Sequence, residues 1–396
     1  MQLQPGAAFV LPEPDEESTA HSQRVAAYIR ECIADEGGSI GFAEFMQHAL
    51  YAPGLGYYVS GTKKFGAGGD FVTAPEISPL FGRVLASQIA TALQQLDEGR
   101  ILELGAGSGA LASCMLQKLA ELDVLPDQYC ILEVSPELAK RQQECMAQQV
   151  PGFIDRVRWL AQMPRSFTGV IVANEVADAL PVERFVRRGA ALNQLRVGVQ
   201  NESFRWIESI APESLRAAIV AVEDELGRQF ADGYRSEICL ALPHWVGELA
   251  GCLHKGLVLL FDYGATRKEY YARDRHDGWL RCHYRHRAHD DPLILPGIQD
   301  LTAAVDFTAI AAAGIDAGAE IAGFVTQAHF LLSGGLADEL DDWSSLSVAS
   351  QAELSRQVKL LTLPGEMGEN LKCIGIGRGD IAPLAAFGEF DRTHML

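Results

Sequence analysis

Residues 101–111, Ile-Leu-Glu-Leu-Gly-Ala-Gly-Ser-Gly-Ala-Leu, decide how the chain is read. A short apolar strand over Arg100–Leu104 runs into three alternate glycines, and a helical run begins at Ala110. In an open parallel sheet this turn lies at the carboxyl end of the first strand, where nucleotide-like ligands sit. Gly105, Gly107 and Gly109 let the backbone approach a ligand and adopt conformations that a Cβ would forbid. The spacing Gly105-x-Gly107-x-x-Ala110 also satisfies the dinucleotide fingerprint, so the turn alone leaves the ligand open.

Two carboxylates narrow it. Glu103 lies two residues before the first glycine, where it could reach the cationic amino-acid part of S-adenosyl-L-methionine (SAM) and would repel a pyrophosphate. Glu133 closes the next strand, 28 residues after Gly105, and a carboxylate there accepts ribose hydroxyls from either cofactor. The pair predicts an adenosyl-ribose ligand, with SAM ahead of NAD. After a fully apolar strand, Asn174, Glu175 and Asp178 follow at the same sheet edge in IVANEVADALPVERF (171–185). Each alone would serve as a helix cap or dipole partner. Three together beside the glycine turn point to a function.

Outward from the turn, strands and helices alternate. Helices are expected over Ser78–Leu96, Ala110–Leu122 and Pro136–Gln149, and strands over Tyr129–Val134, Val157–Leu160 and Gly169–Ala173. This alternation predicts βαβ units and a parallel sheet covered on both faces. Strand-like Val182–Val186 and Gln194–Val199 come next, then helices near Pro212–Phe230 and His244–Leu253, with sheet strands resuming at Gly256–Phe261 and Lys372–Ile376. Upstream, His21–Glu36 and Phe42–Leu50 have helical spacing, whereas Tyr51–Pro79 is rich in Gly, Pro and aromatics. The boundaries drawn are a flexible arm (1–20), an N-terminal helical and Gly-rich lobe (21–77) and a ligand-binding core (78–185). An insertion (186–255), the remainder of the core (256–380) and a tail (381–396) follow.

The 396 residues are 48% hydrophobic and 21% charged, which excludes wholesale disorder and fibrous classes. A net charge of −19 argues against a phosphate-backbone binder, whose affinity rests on Lys and Arg, so no nucleic-acid partner is expected. Eight dispersed Cys form no CxxC pair and read as reduced thiols. An acidic N-terminus without signal or transit features, and no uninterrupted apolar span, place the protein in the cytoplasm with no membrane insertion. GTKKFGAGGD (61–70) lacks the GK[ST] ending of a phosphate loop. In Arg281–His289, His283, His286 and His289 stand at threes beside Cys282, but the flanking arginines favour a basic loop over a metal site, and no metal is expected.

Seven segments in collinear order carry a wider resemblance: GDFVTAPEISPLFG (69–82), LELGAGSGAL (102–111), LEVSPEL (132–138), NEVADALPVERF (174–185), LLFDYG (259–264), PGIQDLTAAVDF (296–307) and KLLTLPGEMGENLKCIGIGRG (359–379). Together they resemble the MidA-type SAM-dependent methyltransferase family, whose mitochondrial member methylates an arginine of a respiratory complex I subunit. The resemblance implies an α/β, class I methyltransferase fold, Rossmann-like, with a mostly parallel seven-stranded sheet, helices on both faces, an N-terminal lobe and inserted α+β segments. It implies SAM as cofactor and an arginine of a partner protein as acceptor. Glu103, Gly105, Gly107, Gly109, Glu133, Asn174 and Glu76 are expected to hold the cofactor, with Asp70–Glu76 lying against the crevice. Glu175 and Asp178, with Asp262 in reserve, are expected to orient the guanidinium and take its proton. Val176-Ala177 stand where the family commonly has two aromatics, which keeps another acceptor open. A SAM-binding assembly chaperone without catalysis is the other alternative.

Overall fold

The computed structural model describes residues 11–60 and 73–396. The chain forms two compact units, one of Met1–Phe71, Asp178–Leu242 and Ala265–Asp306, the other of Val72–Ala177, Pro243–Gly264 and Phe307–Leu396.

The second unit is built on the predicted sheet. Its strands are β1 (Arg100–Leu104), β2 (Tyr129–Leu132), β3 (Val157–Leu160), β4 (Phe167–Asn174), β5 (Leu253–Ala265), β6 (Glu320–Thr326) and β7 (Leu371–Arg378). They lie in the order β6-β7-β5-β4-β1-β2-β3. Strands β3, β2, β1, β4 and β5 are mutually parallel, and β7 runs antiparallel to both β5 and β6. The order reverses between β1 and β4, so the crevice beyond their carboxyl ends is the switch point of the sheet. Strands buried on both faces read as continuous apolar runs, as VIVA (170–173) and LVLLF (257–261) do.

Helices α1 (Pro79–Leu93), α2 (Ala110–Glu121) and α3 (Pro136–Gln149) follow the chain around this sheet. Ser78 caps α1 by accepting from Leu80 N at 3.2 Å, and Ser135 caps α3 by accepting from Leu138 N at 3.3 Å. Leu85, Ile89, Leu116 and Met146 join Ile101, Ile131, Val172 and Leu259 in one core. On the other face, helix Phe307–Asp316 packs Phe307 on Phe324, with ring centroids 5.2 Å apart.

The first unit holds an antiparallel five-stranded sheet of Ser39–Ile40, Ala191–Gln200, Glu183–Arg188 and Arg235–Ile238 in that order, with Ser203–Ile210 paired to Ala191–Gln200. A three-stranded sheet includes the hairpin Arg281–Tyr284 and Arg287–His289. Arg285 and His286, at φ +47° and +60°, form its two-residue turn. Burial pushes His283 down to about 4, so its ring is neutral at pH 7.

The structure differs from the sequence expectations at the first helix and at two strands. The first helix begins at Glu16, not His21, because Asp15 caps it and Glu16 and Glu17 face its N-terminal dipole. Strands β6 and Ser203–Ile210 were not expected. Residues 61–72, which include Asp70 and most of the expected glycine-rich approach, lie outside the described residues.

Candidate active site

The register of the second unit's sheet brings the chemistry to one edge. Glu103 aligns with Val172, Leu104 with Ala173, and Asn174 with Phe261, so Glu133, Glu175 and Asp262 follow at neighbouring strand ends. Gly105, Gly107 and Gly109 have φ of +63°, +54° and +84°, the left-handed region that tolerates a side chain poorly. A Cβ on Gly105 would stand 3.1 Å from Val176 Cγ2. Gly109 N–H donates to Ala106 O (2.8 Å) and closes the turn before α2.

Three carboxylates surround the turn. Glu103 is 3% exposed and receives the Tyr129 hydroxyl at 2.6 Å. Burial pushes its carboxyl up to about 7, against the lowering effect of that bond. Glu133 accepts from Ser135 N at 2.8 Å and from the Gln142 side-chain amide at 2.9 Å, and burial outweighs these bonds to raise its pKa. Glu76 receives the Ser108 hydroxyl, which ties the short helix Ala74–Ile77 to the glycine turn.

Glu175 has φ +52°, a conformation that costs a non-glycine residue on the order of 1–3 kcal/mol and that turn residues such as Arg285 and His286 also adopt. Its N–H donates to Phe261 O at 2.8 Å, and its Oε1 accepts from Asn174 Nδ2 at 3.2 Å and Ala74 N at 3.4 Å. Asn174 Oδ1 is buried and has no partner among the described residues. It is an acceptor awaiting a donor, since buried polar atoms are otherwise satisfied.

Asp262 is 2% exposed. Its Oδ2 accepts from Val176 N (3.2 Å) and Ala177 N (2.8 Å), and its Oδ1 from Tyr263 N (2.9 Å). The side chain thereby fixes the turn that follows Glu175. Asp178 belongs to the first unit, where it is 7% exposed and its carbonyl accepts from Ala303 N at 2.9 Å. There it raises the pKa of Tyr51 and Tyr58, secondary to their burial and to Asp300.

The donor set fits SAM. An unpaired amide oxygen and several carboxylates suit an ammonium and a sulfonium, whereas a pyrophosphate would meet negative charge. Val134, next to Glu133, is an apolar side chain 69% exposed. Sequence reasoning passed over Val134, Ser108 and Gln142. For Gln142 a signal existed: it stands four residues before Met146, and these two are the buried positions of α3. Among the described residues, no group of three or more His, Cys, Asp or Glu is placed to hold a metal ion.

Comparisons with known proteins bear on this geometry. A family model described as "Putative S-adenosyl-L-methionine-dependent methyltransferase" matches residues 84–325. The protein arginine methyltransferase NDUFAF7, mitochondrial, of Danio rerio is 29% identical, the alignment covering 89% of this chain and 90% of that one. The homologue of Drosophila melanogaster is 27% identical over 94% and 89%. A crystal structure of a COG1565 superfamily member from Burkholderia thailandensis, bound to S-adenosyl-homocysteine, is 40% identical. It has a TM-score of 0.92 and covers 98% of this chain and 100% of that one. The curated relatives are mitochondrial, which overturns the cytoplasmic placement drawn from sequence. No described helix is long and apolar enough to cross a membrane.

Proposed function

The chain belongs to that family of S-adenosyl-L-methionine-dependent methyltransferases, and from this premise we propose that it methylates an arginine side chain of a partner protein. The observation that carries the reading is the strained, hydrogen-bonded Asn174-Glu175 corner beside the glycine turn. The names of the curated relatives support arginine as the acceptor.

SAM supplies a methyl group activated by its sulfonium. We assign Glu133 to the ribose hydroxyls, the exposed Val134 side chain to the adenine face, and Asn174 Oδ1 to the ammonium. Gly105, Gly107 and Gly109 leave room for close backbone approach, Glu76 braces the turn through Ser108, and Glu103 places a carboxyl beneath it. A guanidinium is protonated far above neutral pH and its charge is delocalised. Glu175 would accept its N–H groups, draw the positive charge away from the attacking nitrogen, and take the proton lost on methylation. Asp178 belongs to the other unit and is given no part in this step. Asp262 acts through the backbone it holds, as a positioning residue for the 175–177 turn. Orientation of this kind supplies much of the rate in a displacement that needs little covalent chemistry from the protein.

The test is transfer from methyl-labelled SAM to proteins of a lysate from cells lacking this chain, followed by hydrolysis to amino acids. Label in methylated arginine supports the proposal. Label confined to another amino acid or to small molecules would replace the acceptor.

A further inference from the structure

Gln142 occupies a position that neither cofactor contact nor core packing explains. It projects from α3, is 0% exposed, and uses every polar atom of its amide. Its Nε2 donates to Gly107 O at 3.1 Å and to Glu133 Oε2 at 2.9 Å, and its Oε1 accepts from Trp159 Nε1 at 3.0 Å. The chemistry of the partners fixes which way the amide faces. An indole N–H only donates, while a carbonyl and a carboxylate accept. A flipped amide would set donor against donor at Trp159 and acceptor against acceptor at both other contacts.

We propose that Gln142 is a positioning residue for the cofactor ribose, locking the Glu133 carboxylate to the middle glycine of the turn, with Trp159 on β3 as the latch that holds the amide. The inference rests on the reading of this crevice as the SAM site. A carboxylate that must receive two hydroxyls must not rotate. Glu133 is held at Oε1 by the Ser135 N–H and at Oε2 by Gln142. The first bond is local to the chain, and the second is the link that registers the ribose end of the crevice against the glycine turn. One buried amide thus couples the end of β2 to the turn after β1 through α3, the helix between β2 and β3.

The experiment compares S-adenosyl-homocysteine with its 2′-deoxyribose analogue by calorimetry on the full chain, in wild type, Gln142→Leu and Trp159→Phe. Wild type should prefer the natural ribose by about tenfold or more, the scale of a hydrogen bond to a charged group. In Gln142→Leu that preference should fall to about twofold or less, and in Trp159→Phe it should fall in the same direction by a smaller factor. A merely structural glutamine would weaken both ligands equally and leave the ratio unchanged, which would overturn the proposal. If Gln142→Leu does not fold, Trp159→Phe decides alone, and an unchanged ratio there overturns it equally. Failure of the wild type to bind S-adenosyl-homocysteine at all would strike the cofactor reading beneath it and is distinguishable from either result.

Discussion

Glu103 is a carboxylic acid in a place that resists its charge, and this has a measurable cost. Its folded pKa of about 7 lies above the ordinary 4.5 because burial outweighs the Tyr129 bond. A carboxyl raised in this way adds its stability fully below the unfolded value and loses it as pH rises through the folded value. Thermal stability of the wild type should therefore decline between about pH 4.5 and 7 relative to Glu103→Gln, whose amide does not titrate. Parallel melting curves of the two proteins across that window would show that Glu103 does not titrate there. Glu175 makes a different prediction. Glu175→Gln keeps size and hydrogen bonding but removes charge from the guanidinium partner. Cofactor affinity should stay close to wild type while turnover falls on the order of a hundredfold, a barrier increase of a few kcal/mol. Melting temperature and cofactor affinity falling together with activity would instead mean that this acid only holds the turn. The placing of the glycines, Glu103, Glu133, Asn174 and Glu175 at neighbouring strand ends was legible, because the apolar strand runs stop there. The left-handed φ of Glu175 was not, since it follows from tertiary contacts.

At the scale of elements, the glycine turn is the part least able to absorb change. Gly107 has φ +54°, and a branched side chain there would be strained before any ligand arrived. Gly107→Val should abolish binding of S-adenosyl-homocysteine while leaving a folded protein, checked by calorimetry beside circular dichroism. Retained affinity would mean that the ligand does not approach this backbone. Six of the seven sheet strands were readable as apolar runs bounded by turn residues. The seventh, β6, was hidden because Gly323 interrupts its apolar pattern. The structure gives that glycine a reason: a Cβ there would stand 2.3 Å from the Phe387 ring. Strand Ser203–Ile210 was hidden differently. As a half-buried strand with Arg205 and Glu208 among its residues, it offers too little apolar contrast to stand out.

The whole molecule carries a net charge of −19, and its candidate crevice repeats that sign in Glu76, Glu133, Glu175 and Asp262. Such an arrangement is stable where the ligands are cations, and both SAM and a guanidinium are. The class of fold was legible from the alternation of strands and helices around residues 101–111. The gathering of distant segments into the first unit was not, because it rests on long-range contacts: Ser39–Ile40 pairs with Val197–Gly198, and Arg235 bridges to Asp277. The same charge argument separates the two cofactors that the glycine spacing alone left open. The most direct measurement is a calorimetric titration of the purified chain with S-adenosyl-homocysteine and, separately, with NAD, in wild type and Glu133→Ala. The account predicts one equivalent of S-adenosyl-homocysteine bound, an affinity loss of roughly 1–3 kcal/mol in Glu133→Ala, and no NAD binding. Binding of NAD without S-adenosyl-homocysteine, or an affinity untouched by Glu133→Ala, would contradict it.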